Sequence, residues 1–324
     1  MLRNGRKLTG LALWAMMLCS ACGISRPPDS VARAQQAEAA TTPFDYDPAG
    51  PLSPTIAVTK RSPGAVIEQV EFNSPCGGRV AGLLIRPTAV ERPPVILFLH
   101  GLGGSKKDAQ SAAALLMARG VAVFGLDAAC HGDRRKEGEE FFSADLQKTK
   151  DHIIQTVIDY RRAIDYLATR DDVDAGRVGL IGASLGAILG AMVAGVDQRV
   201  CAALLIVGGG NWRTIFTQSR HPAAEALRAA IGAKPEAVAS IDDVDPVRYV
   251  GMISPRPLWM VNGKQDDIIP RAAAEALFEA AKPPKEIFWY EGGHVPPLPW
   301  LAGVVNDWIG EFVTNGAVKK EQAN

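Results

Sequence analysis

The 324-residue chain carries 35 basic and 35 acidic side chains, with 47% hydrophobic and 22% charged residues. That is the balance of a soluble globular protein with a sizeable core, enough for one large α/β domain or two small ones. Setting aside Arg3, Arg6 and Lys7 leaves 32 basic residues against 35 acidic, and neither count supplies the basic stripe that a nucleic-acid partner requires.

The N-terminus reads as a targeting segment. MLRNGRK is basic, and LTGLALWAMML is apolar but short for a bilayer span. Leu18-Cys19-Ser20-Ala21-Cys22-Gly23 resembles the lipobox of bacterial lipoproteins, in which Cys22 would be lipidated and become the first mature residue. Cys19 departs from that pattern, since an aliphatic residue is usual there. Plain secretion with cleavage after Ala32-Arg33-Ala34, or an uncleaved signal anchor, are the alternatives. Residues 1–22 are thus expected to be a leader, and the membrane to be met through a lipid anchor only. Residues 23–64, rich in Pro, Ala, Ser and Thr, read as a flexible linker, with contacts to a folded body around Phe44 and Tyr46.

Order is expected from residue 65 to 316, with a tail at 317–324. Val66–Phe72 and Arg79–Arg86 alternate as a hairpin across Pro75-Cys76-Gly77-Gly78. Val95–Leu99 is a continuous apolar run, as a strand buried on both faces requires. Lys106–Arg119 reads as a helix ended by Gly120, and Val121–Leu126 as the next strand. Asp151–Thr169 carries apolar residues at helical spacing. A strand at 177–181, a helix at 184–195 and a strand at 201–207 follow. Residues 211–250 break this rhythm and look like an inserted cap. A strand at 257–262, a helix at 271–281, a strand at 285–290 and a helix over 298–313 resume it. Strands alternating with helices imply a mostly parallel, doubly wound sheet whose chemistry sits at the carboxyl ends of the strands.

Four loops at such ends carry chemistry. Gly182-Ala183-Ser184-Leu185-Gly186 joins strand to helix with a serine at the apex, and its glycines let strand and helix close up. Serine needs a base, and the base an orienting carboxylate. His294 follows one strand in Glu291-Gly292-Gly293-His294, and Asp266 follows another in Gly263-Lys264-Gln265-Asp266. Asp267 is adjacent, but the Gly-x-x-Asp spacing favours Asp266. Backbone N–H groups of Leu185 and of Leu102, in His100-Gly101-Leu102-Gly103-Gly104, would hold the oxyanion.

These four loops, in this order, resemble the signature loops of the α/β-hydrolase superfamily over residues 66–313. Asp127-Ala128-Ala129-Cys130-His131-Gly132-Asp133-Arg134, Asp245-Pro246 and Ser254-Pro255-Arg256-Pro257 resemble its dienelactone-hydrolase-like and prolyl-oligopeptidase-like branches, small bacterial esterases above all. Two departures matter. Dienelactone hydrolases use a cysteine where Ser184 stands, and there is no room for the N-terminal propeller of the oligopeptidases. The resemblance implies a serine hydrolase acting on small-molecule carboxylic esters without a cofactor, and the leader implies that it is exported. A small exported peptidase or amidase, or a non-catalytic binding lipoprotein on the same fold, are the alternatives.

The remaining candidates read more plainly. Cys76, Cys130 and Cys201 show no disulfide framework and no zinc spacing; free thiols are the default, and one bridge stays open. His131 and Asp133 lack further metal ligands and suit a hydrogen-bonded structural loop. His100 would orient the oxyanion loop, whereas His152 and His221 have no motif around them. Trp212, Phe216 and Tyr249 either line an acyl pocket or form the insertion's own core.

Overall fold

A computed structural model describes residues 41–314, except 233 and 234. The leader with Cys22, most of the linker and the tail at 317–324 lie outside the described residues. Nine strands form one sheet in the order β1-β2-β3-β5-β4-β6-β7-β8-β9. They are β1 Thr55–Arg61, β2 Ala65–Asn73, β3 Arg79–Pro87, β4 Pro94–Leu99, β5 Ala122–Leu126, β6 Asp174–Ala183, β7 Val200–Ile206, β8 Leu258–Gly263 and β9 Lys285–Tyr290. The pairings β1/β2, β2/β3 and β3/β5 are antiparallel, and every later pairing is parallel. The expected hairpin is β2/β3, with Val70 opposite Gly82.

One expectation needs correcting. Residues 23–64 were to be a flexible linker, yet β1 pairs along β2, with a register shift between Val58 and Lys60. Upstream, Phe44 is fully buried against Tyr249, ring centroids 5.0 Å apart, and the Arg161 guanidinium donates to its carbonyl at 2.6 Å. The compact unit therefore starts at Thr42. Every residue of β1 is exposed, so its side chains carry no burial period, which is why it looks like linker.

Helices cover both faces. On one lie α2 Leu146–Ala168 and α3 Leu185–Val196; on the other lie α1 Ala109–Leu116 and α7 Leu298–Trp308. The second helix starts five residues before its expected Asp151, because Asp145 caps it by accepting the Gln147 N–H at 3.1 Å. In α3 the run LGAILGAMVAG is buried all round, and its small residues let it press against the sheet. The insertion holds α4 Trp212–Gln218, α5 Pro222–Ile231, a ten-residue 3₁₀ stretch at Pro235–Val244 and a 3₁₀ turn at Pro246–Arg248; a further turn at Val250–Met252 leads on to β8, and α6 Arg271–Ala280 follows β8. Chain order reverses around β4, which pairs with β5 on one side and β6 on the other. The crevice at such a reversal is where open α/β sheets bind ligands.

Candidate active site

Ser184 stands between β6 and α3 with φ 55° and ψ −117°. A non-glycine residue holds such a conformation at a cost of about 1–3 kcal/mol, and the surroundings must enforce it. They do so by close approach. A Cβ at Gly182 would overlap the backbone of Gly186, and a Cβ at Gly186 would overlap the carbonyl of Leu99. Strand β4, the elbow and α3 thus meet backbone to backbone.

The fold brings the three separated side chains together. Ser184 Oγ lies 2.9 Å from His294 Nε2, and His294 Nδ1 lies 2.8 Å from Asp266 Oδ2. The Asp266 carboxylate is buried, and its Oδ1 accepts the N–H groups of Ile268 and Ile269, each at 2.9 Å. Backbone donors therefore fix one oxygen and leave the other for the imidazole. The Nδ1 proton belongs to that bond, so Nε2 is free to accept from the serine hydroxyl. Asp267 takes no part: it is exposed, and its carbonyl accepts the Arg220 N–H at 2.7 Å, which ties the insertion to this loop.

Comparison with known proteins bears on the fold. The model of the alpha/beta hydrolase family matches residues 96–251. The acetyl xylan esterase from Paenibacillus sp. superposes with a TM-score of 0.71, covering 81% of this chain and 89% of that one at 21% identity, a likeness of fold. The chain has the α/β-hydrolase fold, and its stretch from 96 to 251 is similar to that family. Among curated relatives, the uncharacterized protein YfhR of Salmonella typhi is 28% identical over 71% of this chain and 75% of its own length. The putative esterase YitV of Bacillus subtilis is 26% identical over 58% of this chain and 74% of its own.

Within this α/β-hydrolase fold the loops are laced to each other. Gln265 donates its N–H to the Gly292 carbonyl at 2.9 Å, and its Oε1 accepts the Gly292 N–H at 2.5 Å. Tyr290 donates its hydroxyl to the Gly293 carbonyl at 2.6 Å; burial, then the nearby Asp266 charge, pushes its pKa up to about 12. Gln265 and Tyr290 thus seat the loop bearing His294. Neither was a candidate in the sequence, where only their neighbourhood to Asp266 and His294 hinted at a role.

Leu102 and Leu185 both line the cavity at Ser184. Leu185 opens α3, so its N–H has no acceptor within the helix. In the other loop, the Gly104 N–H is bonded to the Gly101 carbonyl, and the Gly103 N–H is bonded to His131 Nε2 at 3.1 Å. That leaves Leu102 between two fixed neighbours. His131 donates from Nδ1 to the Ala129 carbonyl at 2.7 Å, while His100 donates from Nδ1 to the Gly101 carbonyl at 2.8 Å. His100 Nε2 in turn accepts the Ala128 N–H at 3.1 Å. The two rings, 4.9 Å apart, form a reciprocal brace: each reaches a backbone N–H of the other's loop. Each Nε2 is an acceptor, so both rings are neutral, and burial lowers the pKa of both.

The β5 loop is anchored underneath. Lys106 Nζ lies 2.6 Å from Asp127 Oδ2 and 2.6 Å from Asp133 Oδ2. Burial pulls the Lys106 pKa down, but its bonds to the two carboxylates outweigh that and raise it. His131 and Asp133 therefore serve separate partners, backbone and lysine, and Arg134 pairs instead with buried Asp159 at 2.8 Å. Cys76, Cys130 and Cys201 are free, and burial raises all three thiol pKa values. Of the cap aromatics, Trp212 and Tyr249 belong to the core, Trp212 donating to the Val244 carbonyl at 3.0 Å. Phe216 does both jobs, stacking on Trp212 and lining the cavity at Ser184.

Proposed function

We propose that this α/β-hydrolase is a serine esterase that works through an acyl-enzyme on Ser184. The observation that carries the reading is the unbroken relay from Ser184 Oγ through His294 to Asp266, at 2.9 Å and 2.8 Å. Ser184 Oγ bonds to the ester carbonyl carbon as its proton passes to His294 Nε2. Asp266 stabilises the imidazolium, and the N–H groups of Leu102 and Leu185 face the oxyanion. Collapse breaks the bond to the alcohol oxygen, which leaves with the proton from Nε2. Water then gives a proton to His294 and attacks the acyl carbon; the second collapse returns a proton to Ser184 and frees the acid. Two similar proteins named as esterases, one of them putative, support esters as the substrate class. The leader, with Cys22 as the lipidated residue, supports export.

A fluorophosphonate probe tests the nucleophile: wild type labels, and Ser184→Ala does not. Persistent labelling of the alanine variant overturns the assignment. Aryl esters set beside aminoacyl anilides test the reaction class, and faster turnover of the anilides makes the protein an amidase or peptidase instead.

A further inference from the structure

Of two neighbouring cavities of very different size, the smaller one has Ser184 in its wall. It holds about 40 Å³, and Leu185 lines it together with apolar Ile188, Ile215, Phe216 and Ile268. Its free volume suits roughly three water-sized atoms. The second is a cleft of about 690 Å³ between the β5 loop and the start of α5. The two share Leu102, Phe142, His221 and Ala223, so the narrow space and the wide one adjoin at these four residues.

His221 stands at this junction. Its Nδ1 accepts the Ala223 N–H at 3.1 Å and so caps α5, and its own N–H donates to Ser219 Oγ at 3.1 Å. With Nδ1 taken as an acceptor, the proton of the neutral ring sits on Nε2, and no acceptor among the described residues takes it. The cleft's charged pair, Arg135 and Glu140, stand 3.7 Å from one another and offset each other, so the cleft selects no net charge.

We propose that the substrates are esters of a short acyl chain, seated in the apolar pocket at Ser184, with a bulky neutral alcohol that lies in the wide cleft and accepts a hydrogen bond from His221 Nε2. This rests on the esterase reading above. The acyl group stays bonded to Ser184 through both halves of the cycle and fits the small pocket; the alcohol must depart between them, and the wide cleft gives it a way out. His221 is a specificity residue in this scheme, not one of the groups that move protons.

The test uses the whole chain with p-nitrophenyl esters of two to ten carbons, and with glucose monoacetate against ethyl acetate. The expected kcat/KM peaks at about two to four carbons and falls about tenfold or more by eight, as an overfilled pocket requires. Ile268→Ala, at a half-buried wall position, moves the peak to longer chains. Glucose monoacetate is preferred over ethyl acetate. His221→Ser keeps a capping oxygen for α5 and removes the Nε2 donor. It raises KM for glucose monoacetate about fivefold, the scale of one neutral hydrogen bond, and by more than it raises KM for ethyl acetate, whose alcohol carries no hydroxyl to accept from His221. A chain-length peak at eight carbons or beyond overturns the acyl assignment. An unchanged KM for glucose monoacetate in His221→Ser, with an unchanged melting temperature, overturns the donor. Ester turnover that survives Ser184→Ala, or hydrolysis of anilides alone, would instead remove the esterase reading itself.

Discussion

Replacing His131 by alanine tests whether the histidine brace positions the oxyanion loop. The substitution removes the acceptor of the Gly103 N–H, at 3.1 Å, and the donor to Ala129, at 2.7 Å. Two neutral hydrogen bonds of about 1 kcal/mol each, one leaving a backbone N–H unpaired, lower stability by about 2–3 kcal/mol. The catalytic effect is larger than that loss suggests, because Leu102 is the residue next to the released glycine. Removing an oxyanion donor outright costs about 10²–10³ in kcat, and a misplacement of about 1 Å costs about 10². The expected result is a kcat about 10²-fold lower, with KM within about threefold, in a protein that still shows the native circular dichroism spectrum. His131→Gln returns an acceptor oxygen to the site and recovers part of the rate. Because the brace needs neutral rings, and because burial lowers the pKa of His100 and His131, the unfolded chain binds more protons than the folded one on the acid side. Stability from this pair is therefore complete above the ordinary imidazole range and is lost as pH falls below about 6.5. Asp127, Arg135 and Glu140 also face His131, and Asp108 and Asp127 face His100, so the wild-type profile reports the cluster as a whole. Steady-state aryl-ester hydrolysis and thermal melts across pH measure both effects. A folded His131→Ala enzyme with kcat within twofold of wild type would refute the positioning argument.

Further expectations concern single sites. Asp266→Asn lowers kcat by about 10⁴ by favouring the wrong imidazole tautomer, whereas Asp267→Asn stays within about twofold; equal losses in the two variants would mean that the acid is misassigned. Gly186→Ala forces β4 and α3 apart and destabilises by about 3 kcal/mol or more, read from urea midpoints; an unshifted midpoint would contradict the backbone contact at Leu99. In a host that processes lipoproteins, radiolabelled palmitate enters through Cys22, and equal incorporation by Cys22→Ser removes the anchor.

The sequence made the parallel half of the sheet legible because burial on both faces writes itself as unbroken apolar runs, as in Val95–Leu99 and Val178–Ile181. The elbow was readable for a related reason, since only glycine fits where Gly182 and Gly186 stand. Strand β1 left no such mark, because Thr55–Arg61 gains its place through backbone pairing and buries no side chain. The brace was hidden too. His131 finds its acceptor role at a backbone N–H 28 positions away, and no local spacing encodes that partner. His221 likewise shows its two faces, helix cap and cavity wall, only once α5 is folded over Ser184.

The dihedral pair at Ser184 carries a lesson about durability. A side chain forced into territory suited to glycine weakens the native state at the very atom on which turnover is proposed to depend. Ser184→Gly should therefore tolerate heat better than Ser184→Ala, although both are inert. Selection for ruggedness alone would erode this position first, and a chain that still has its serine has kept reactivity at the expense of robustness.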